Sequence, residues 1–291
     1  MFPELLQYLF SGVTVGSIYA LVGLGFALIY NASNIINFAQ GEFLMIGGMT
    51  TVFLIAKGIP MPLAIPVAVA VTVLVGVALE KFVVERAGDA GVVPLIIITI
   101  GASLFLRGVA QVIWGKQFYS LPAFSGNRPI AVGGATLLPQ SLWVLGVTVV
   151  LVVALVVFFK RSLLGKAMLA TSHNPDAASL VGINTKWVLM LSFGLSALLG
   201  AVAGVIIAPI TFTSYDIGIM LGLKGFAAAV LGGLGSGVGA IVGGLVLGIV
   251  EALTAGYISS DYKNAVPFVL ILLVLFFMPR GLFGGRSVER V

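Results

Sequence analysis

Ionisable side chains are few in this sequence, and the informative ones stand inside or beside long apolar runs. Between Asn31 and Phe43 the chain reads NASNIINFAQGEF, which sets Asn34, Asn37, Gln40 and Glu42 among Ile35, Ile36 and Phe38. Arg107 lies past the middle of an apolar run from Val92 to Trp114, and Glu251 lies late in a glycine-rich run from Gly225 to Leu253. An Arg at the centre of a membrane helix costs roughly 2.5–3.5 kcal/mol on insertion scales, so such groups face protein or water where they can. The chemistry on offer is hydrogen bonding and ion pairing along a polar path, or the capping of structural turns. Arg107 lines such a path, or pairs with Glu251 or Asp216, or snorkels to the headgroups. Gly233 and Gly235 break the glycine-rich run, and broken helices that meet near the midplane are a recurring way to build a transport site; tight helix packing is the alternative. Bond-making chemistry lacks its residues. There is one His and no Cys, hence no His/Cys metal cluster, and no H-E-x-x-H. Gly165-Lys166 is followed by Ala167, so no Walker-type phosphate loop is present, and ATP is not expected on this chain.

A second constellation is basic. From Lys160 to Lys186 the chain carries Lys160, Arg161, Lys166, His173 and Lys186 against one acid, Asp176. Lys and Arg near span ends resist translocation, so this loop, residues 160–187 with its flank, is expected to face the cytoplasm. Asn174 before Pro175 is an N-cap followed by Pro at the first helical position. Asp176 suits the first turn, and Gly182 suits a left-handed C′ position. The spacing predicts a short helix from Pro175 to Val181. Two turns are too few to be stable alone, so the helix is either a docking element for a cytoplasmic subunit or an ordinary capped connection.

The elements that must position these residues are membrane helices. Of 291 residues 60% are hydrophobic and 9% charged, against roughly 25% charged in a soluble domain. At about 20 apolar residues per crossing, the expected fold is all-α: one polytopic membrane domain over residues 1–291, with about eight segments. They begin near Leu5–Tyr30, Phe43–Ala56, Met61–Leu79, Val92–Trp114, Leu142–Phe159 and Trp187–Ile210. The glycine-rich run comes next, broken or re-entrant, and Ala265–Met278 closes the series. The first run is expected to stay as a membrane segment rather than a cleaved signal. Residues 80–91, with Lys81 and Glu85 placed to pair, read as a cytoplasmic turn. Lys116–Gln140 reads as an outer loop, either a docking surface for a solute-binding protein or plain solvated chain. Thr211–Gly222 reads as a short outer connection. Arg280, Arg286 and Arg290 put the tail inside. The net charge of +5 fits basic cytoplasmic loops rather than nucleic acid.

Three stretches carry a family resemblance. Asp176-Ala177-Ala178, three residues, then Gly182 resembles the "EAA…G" loop of ABC importer permeases, with Asp for Glu. The wider text GKAMLATSHNPDAASLVGIN resembles the branched-chain amino acid permeases in particular. GLGFALIYNASNIINFAQGEFLMIGG is similar to that family's N-terminal signature, usually INFAHGE, with Gln40 where His is common. TIGASLFLRGVAQVIWG resembles it again. The resemblance implies a non-enzymatic permease subunit in a bacterial cytoplasmic membrane. It also implies a second, homologous permease, two ABC ATPases holding ATP and Mg, and a periplasmic solute-binding protein. Pro175, Asp176, Ala177, Ala178 and Gly182 would then form the helix that couples to the ATPase, and the chain would hold no strong solute site of its own. The solute would be Leu, Ile or Val, or, by the same family pattern, urea, short amides or other amino acids. A stand-alone secondary transporter or channel remains the reading of another class.

Overall fold

The computed structural model describes residues 2–88 and 90–284, and its elements are helices apart from one small hairpin. In order these are α1 (Phe2–Ser33), α2 (Gln40–Ala56), α3 (Met61–Leu79), a π-turn over Glu80–Val84, α4 (Glu85–Ala87) and α5 (Val92–Trp114). The hairpin β1 (Ile130–Val132) and β2 (Ala135–Leu137) follows, then α6 (Pro139–Arg161), α7 (Leu163–His173), α8 (Pro175–Leu180) and α9 (Thr185–Thr211). The chain continues through α10 (Ile217–Gly232), α11 (Gly237–Tyr257) and α12 (Val266–Phe277). Among the described residues six helical stretches are long and apolar enough to cross a bilayer: α1, α3 continued through α4, α5, α6, α9 and α11. The apolar helices α2, α10 and α12 are shorter. The eight expected segments thus become nine, because the glycine-rich run is two helices, α10 and α11, hinged at Gly233 and Gly235, both at positive φ.

The two ends of the bundle are distinct. At one, Gln7 accepts a hydrogen bond from the Thr136 amide at 2.7 Å, and Tyr119 pairs through its backbone with Thr213. The start of α1 therefore shares an end with residues 116–140. At the other, the Asn31 amide donates to the Gly235 carbonyl at 2.7 Å, beside Lys160 and Ser172. The most apolar stretches of α1 and α9 are largely buried, whereas those of α5 and α6 are mostly uncovered. The most extensive packing among the described residues is antiparallel, α1 on α11. A Cβ on Gly16 would stand 2.8 Å from the Gly244 carbonyl oxygen, and one on Gly12 2.7 Å from Ile249 Cα. Small residues let helix backbones approach in lipid, where no hydrophobic force drives association.

Four expectations need correction. Residues 80–91 are not a turn from the outset: α3 runs on helically to Ala87, since nothing before Gly88 (φ 56) breaks it. Glu85 receives Lys186 Nζ at 3.1 Å, tying that helix end to the start of α9, instead of the expected Lys81. The basic loop is mostly helix, with α7 inserted before α8. The outer connection is shorter than Thr211–Gly222, because α10 begins at Ile217. Asp89, Arg286 and Arg290 lie outside the described residues.

Candidate functional site

Helix α2 starts inside the bundle. Its first residue, Gln40, packs against Gly25, where an added Cβ would lie 2.8 Å from the Gln40 Cδ. Gly25 is eight residues before the end of α1, about 12 Å at 1.5 Å per residue. Residues 34–39 therefore turn at Asn34 (φ 55) and run back alongside α1 without helical structure, with Ile35, Asn37 and Ala39 buried. Irregular backbone at such depth is tolerated where protein covers it. The Asn37 side chain accepts from the Ala39 amide, and Phe38 N–H donates to Thr99 Oγ1 at 3.2 Å. Gln40 is fully buried and donates to the Ser196 carbonyl. The Ser196 hydroxyl lies within hydrogen-bond distance of Gln40 Oε1 and of the Gly25 carbonyl. These bonds hold the start of α2 to α1 and α9.

Helix α10 starts at the same level. A Cβ on Gly222 would sit 2.9 Å from Gly41 Cα, and one on Gly218 2.8 Å from the Gly41 carbonyl carbon. The first turns of α2 and α10 thus touch backbone to backbone. From this junction α2 runs about 25 Å to the hairpin end and α10 about 24 Å to the basic end. Each helix N-terminus carries a partial positive charge, and the acid at the junction is Glu42, 1% exposed. Its Oε1 accepts from Ser103 at 2.7 Å and lies 3.4 Å from Arg107 Nε. Its Oε2 has no hydrogen-bond partner among the described residues. Glu42, Ser103 and Arg107 line a cavity of about 130 Å³, whose other side chains are apolar and include Phe26, Phe38 and Phe226. Among the described residues, buried side-chain polar atoms without a partner are Asn37 Nδ2, Glu42 Oε2, Thr50 Oγ1, Arg107 Nε, Thr148 Oγ1 and Thr213 Oγ1. All but that of Thr148 belong to α2, to its approach, or to residues set against it, as Thr213 is set against Gly48. Buried polar groups are normally paired, and here the unpaired ones trail from the junction toward the hairpin end.

Arg107 pairs with neither Glu251 nor Asp216, a correction to the sequence expectation. Glu251 faces Lys224, whose Nζ is 2.7 Å from Oε1, and the Tyr19 hydroxyl donates to Oε2 at 2.9 Å. Asp216 accepts from Ser214. The Glu251 group joins α1, α10 and α11 and lines none of the cavity beside Glu42. Asn34 is exposed at the basic end of α1, Gly235 packs on Asn31, and Gly233 packs on residues 280–284. The expected path residues thus divide: Asn37, Glu42 and Arg107 gather at the junction, Gln40 braces it, and Asn34, Gly233, Gly235 and Glu251 stand apart. Lys224, Ser103 and Ser196 were missed. For Lys224 a signal existed: it is a lone base inside the apolar text IGIMLGLKGFAAAV, and the run that follows carries a lone acid, Glu251, in need of a partner.

At the basic end, Ser162 Oγ caps α7 by accepting from the Gly165 amide at 2.8 Å, and Asn174 Oδ1 caps α8 by accepting from Ala177 at 2.9 Å. Gly182 (φ 89) closes α8 while Ile183 N–H donates to the Ala178 carbonyl. Helix α8 ends at Leu180, one residue before expected. Pro175, Asp176 and Ala177 are exposed, whereas Ala178, 4% exposed, faces its own chain. Leu180 and Val181 project, 87% and 77% exposed.

Residues 8–275 match the family model described as branched-chain amino acid transport system / permease component. The chain is 36% identical over 308 residues to the high-affinity branched-chain amino acid transport system permease protein LivH of Salmonella typhimurium, covering 100% of this chain and 99% of that one. It is 35% identical to the BraD permease protein of Pseudomonas aeruginosa, covering 99% and 100%. The galactofuranose transporter permease protein YtfT of Escherichia coli is 29% identical, covering 88% and 75%.

Proposed function

The chain belongs to the branched-chain amino acid transport permease family, and on that premise we propose that it passes leucine, isoleucine or valine through the bacterial cytoplasmic membrane as the membrane subunit of an ABC importer. The observation that carries this reading is the junction of α2 and α10, two half-helices whose N-termini abut inside the bundle beside a cavity that Glu42, Ser103 and Arg107 share with apolar side chains. Half-helices of this kind are how membrane proteins place polar backbone at the midplane without exposing it to lipid.

The partners follow from the same family. The end bearing Lys160, Arg161, Lys166 and Lys186 faces the cytoplasm, and there α8 offers Leu180 and Val181 to an ATPase subunit that holds ATP and Mg. The hairpin end faces a periplasmic solute-binding protein. A second, homologous permease packs on the uncovered face of α5. Gly101 and Gly108, seven residues apart on that helix, have none of the described residues within 4 Å of an added Cβ. No described neighbour requires those glycines, which fits close approach by a helix from outside.

The test is uptake of radiolabelled leucine by proteoliposomes holding this chain, its partner permease and the ATPases, with loaded binding protein outside and ATP within. Accumulation that needs ATP hydrolysis is expected. Leucine flux through this chain alone, without ATPases, would instead identify a stand-alone transporter.

A further inference from the structure

We propose that the cavity between Glu42 and Arg107 is a binding site for one small zwitterion with an aliphatic side chain. Glu42 takes the ammonium, Arg107 takes the carboxylate, and the apolar wall formed by Phe38, Phe226 and Ile100 takes the side chain. The proposal rests on the permease reading and adds to it a selective step in the membrane.

Two buried or half-buried groups of opposite charge line one cavity, each with an unmet hydrogen bond among the described residues: Glu42 Oε2 and Arg107 Nε. They are 3.4 Å apart through Glu42 Oε1 and Arg107 Nε, close enough to neutralise each other but without a hydrogen bond between them. A buried unmet charged group costs more than a neutral one. A metal cation relieves only the carboxylate and a simple anion only the guanidinium; a zwitterion relieves both at once. Ser103 fixes the carboxylate by holding Oε1 at 2.7 Å, which leaves Oε2 to the ligand. Gly218 makes room for that oxygen, since a Cβ there would stand 3.0 Å from it. The Arg107 guanidinium carries five N–H donors in a plane, a geometry matched to a carboxylate. The opposite wall is apolar, with the Phe38 and Phe226 rings 5.5 Å apart. The volume, about 130 Å³, is well beyond what one water needs and leaves room for a small solute.

The test uses the absence of cysteine from the chain. In the assembled transporter, Ile100→Cys places a single thiol of this chain on the cavity wall, and its maleimide labelling rate is measured. L-leucine is expected to slow labelling, while 3-methylbutylamine and 4-methylpentanoate, each keeping the side chain and one charge, do not. Adding Glu42→Gln or Arg107→Gln removes the protection, and Arg107→Lys keeps it at higher leucine concentration. In proteoliposomes each Gln variant lowers leucine uptake by roughly tenfold or more, the effect of losing one charged hydrogen bond. If the pair served only to neutralise itself, the double variant Glu42→Gln/Arg107→Gln would recover uptake, because no lone buried charge remains. That recovery, or equal protection by the one-charge analogues, or no protection by leucine, overturns the proposal. ATP-driven uptake by the unsubstituted assembly tests the permease reading separately, so failure of one is not mistaken for failure of the other.

Discussion

Lys224, Glu251 and Tyr19 form a buried charge group, and each comes from a different helix. Two charges buried together gain little over an apolar pair, but removing one partner leaves the other uncompensated at a cost of about 3–5 kcal/mol. Lys224→Met is therefore expected to lower thermal stability in detergent by that order, and Lys224→Met/Glu251→Gln to recover most of it. An unchanged melting curve for the single variant would mean that water reaches Glu251. Arg107 was legible as an out-of-place charge in an apolar run, and Glu42 as a member of the polar cluster between two such runs. Their pairing was not, because which spans are neighbours is decided by packing and not by position along the chain. Lys224 was hidden for a related reason. It stands beside Gly225 and reads as the border of the glycine-rich run, whereas the helix that contains it starts seven residues earlier at Ile217.

Among the elements, α8 was the most legible, since Asn174, Pro175 and Gly182 each have one backbone role and the chain uses all three. Helix α7 was not, because Lys166, Thr171, Ser172 and His173 look like loop; only Met168, Thr171 and Gly165 are buried, enough to seat one face. The burial pattern of α8 separates two kinds of substitution. Ala178→Arg forces a charge against the helix's own support and is expected to lower stability as well as ATPase binding. Leu180→Asp, at a position that touches little of its own chain, is expected to leave stability and membrane insertion unchanged and to abolish co-purification of the ATPase. Co-purification at the normal level would remove α8 from the contact. The break at Gly233 and Gly235 was readable from glycine spacing. The rise of residues 34–39 back into the bundle was not, since Asn34 through Ala39 fit an ordinary polar turn equally well until Gln40 is seen against Gly25.

For the whole molecule, α2 and α10 leave the same level in opposite directions, while α1, at about 48 Å, passes the full depth beside both. Helix α5 lines the cavity at that junction through Ser103 and Arg107, so a second permease on its uncovered face would stand beside the cavity. Gly108→Trp tests this. The first atom of the new side chain meets none of the described residues, and replacing a helical Gly does not weaken the helix. The isolated chain should fold as before, while assembly with the partner permease, followed by light scattering in detergent, is lost; a lipid-facing position would leave assembly intact. One backbone detail bears on how such a molecule is made. Leu282 and Phe283 donate to the carbonyls of Leu231 and Gly232, the last turn of α10, so the inner half-helix acquires its final hydrogen bonds from residues the ribosome adds some fifty positions later. Until then its terminal carbonyls are unpaired, and a nascent chain arrested after α11 would present that raw terminus to membrane quality-control proteases.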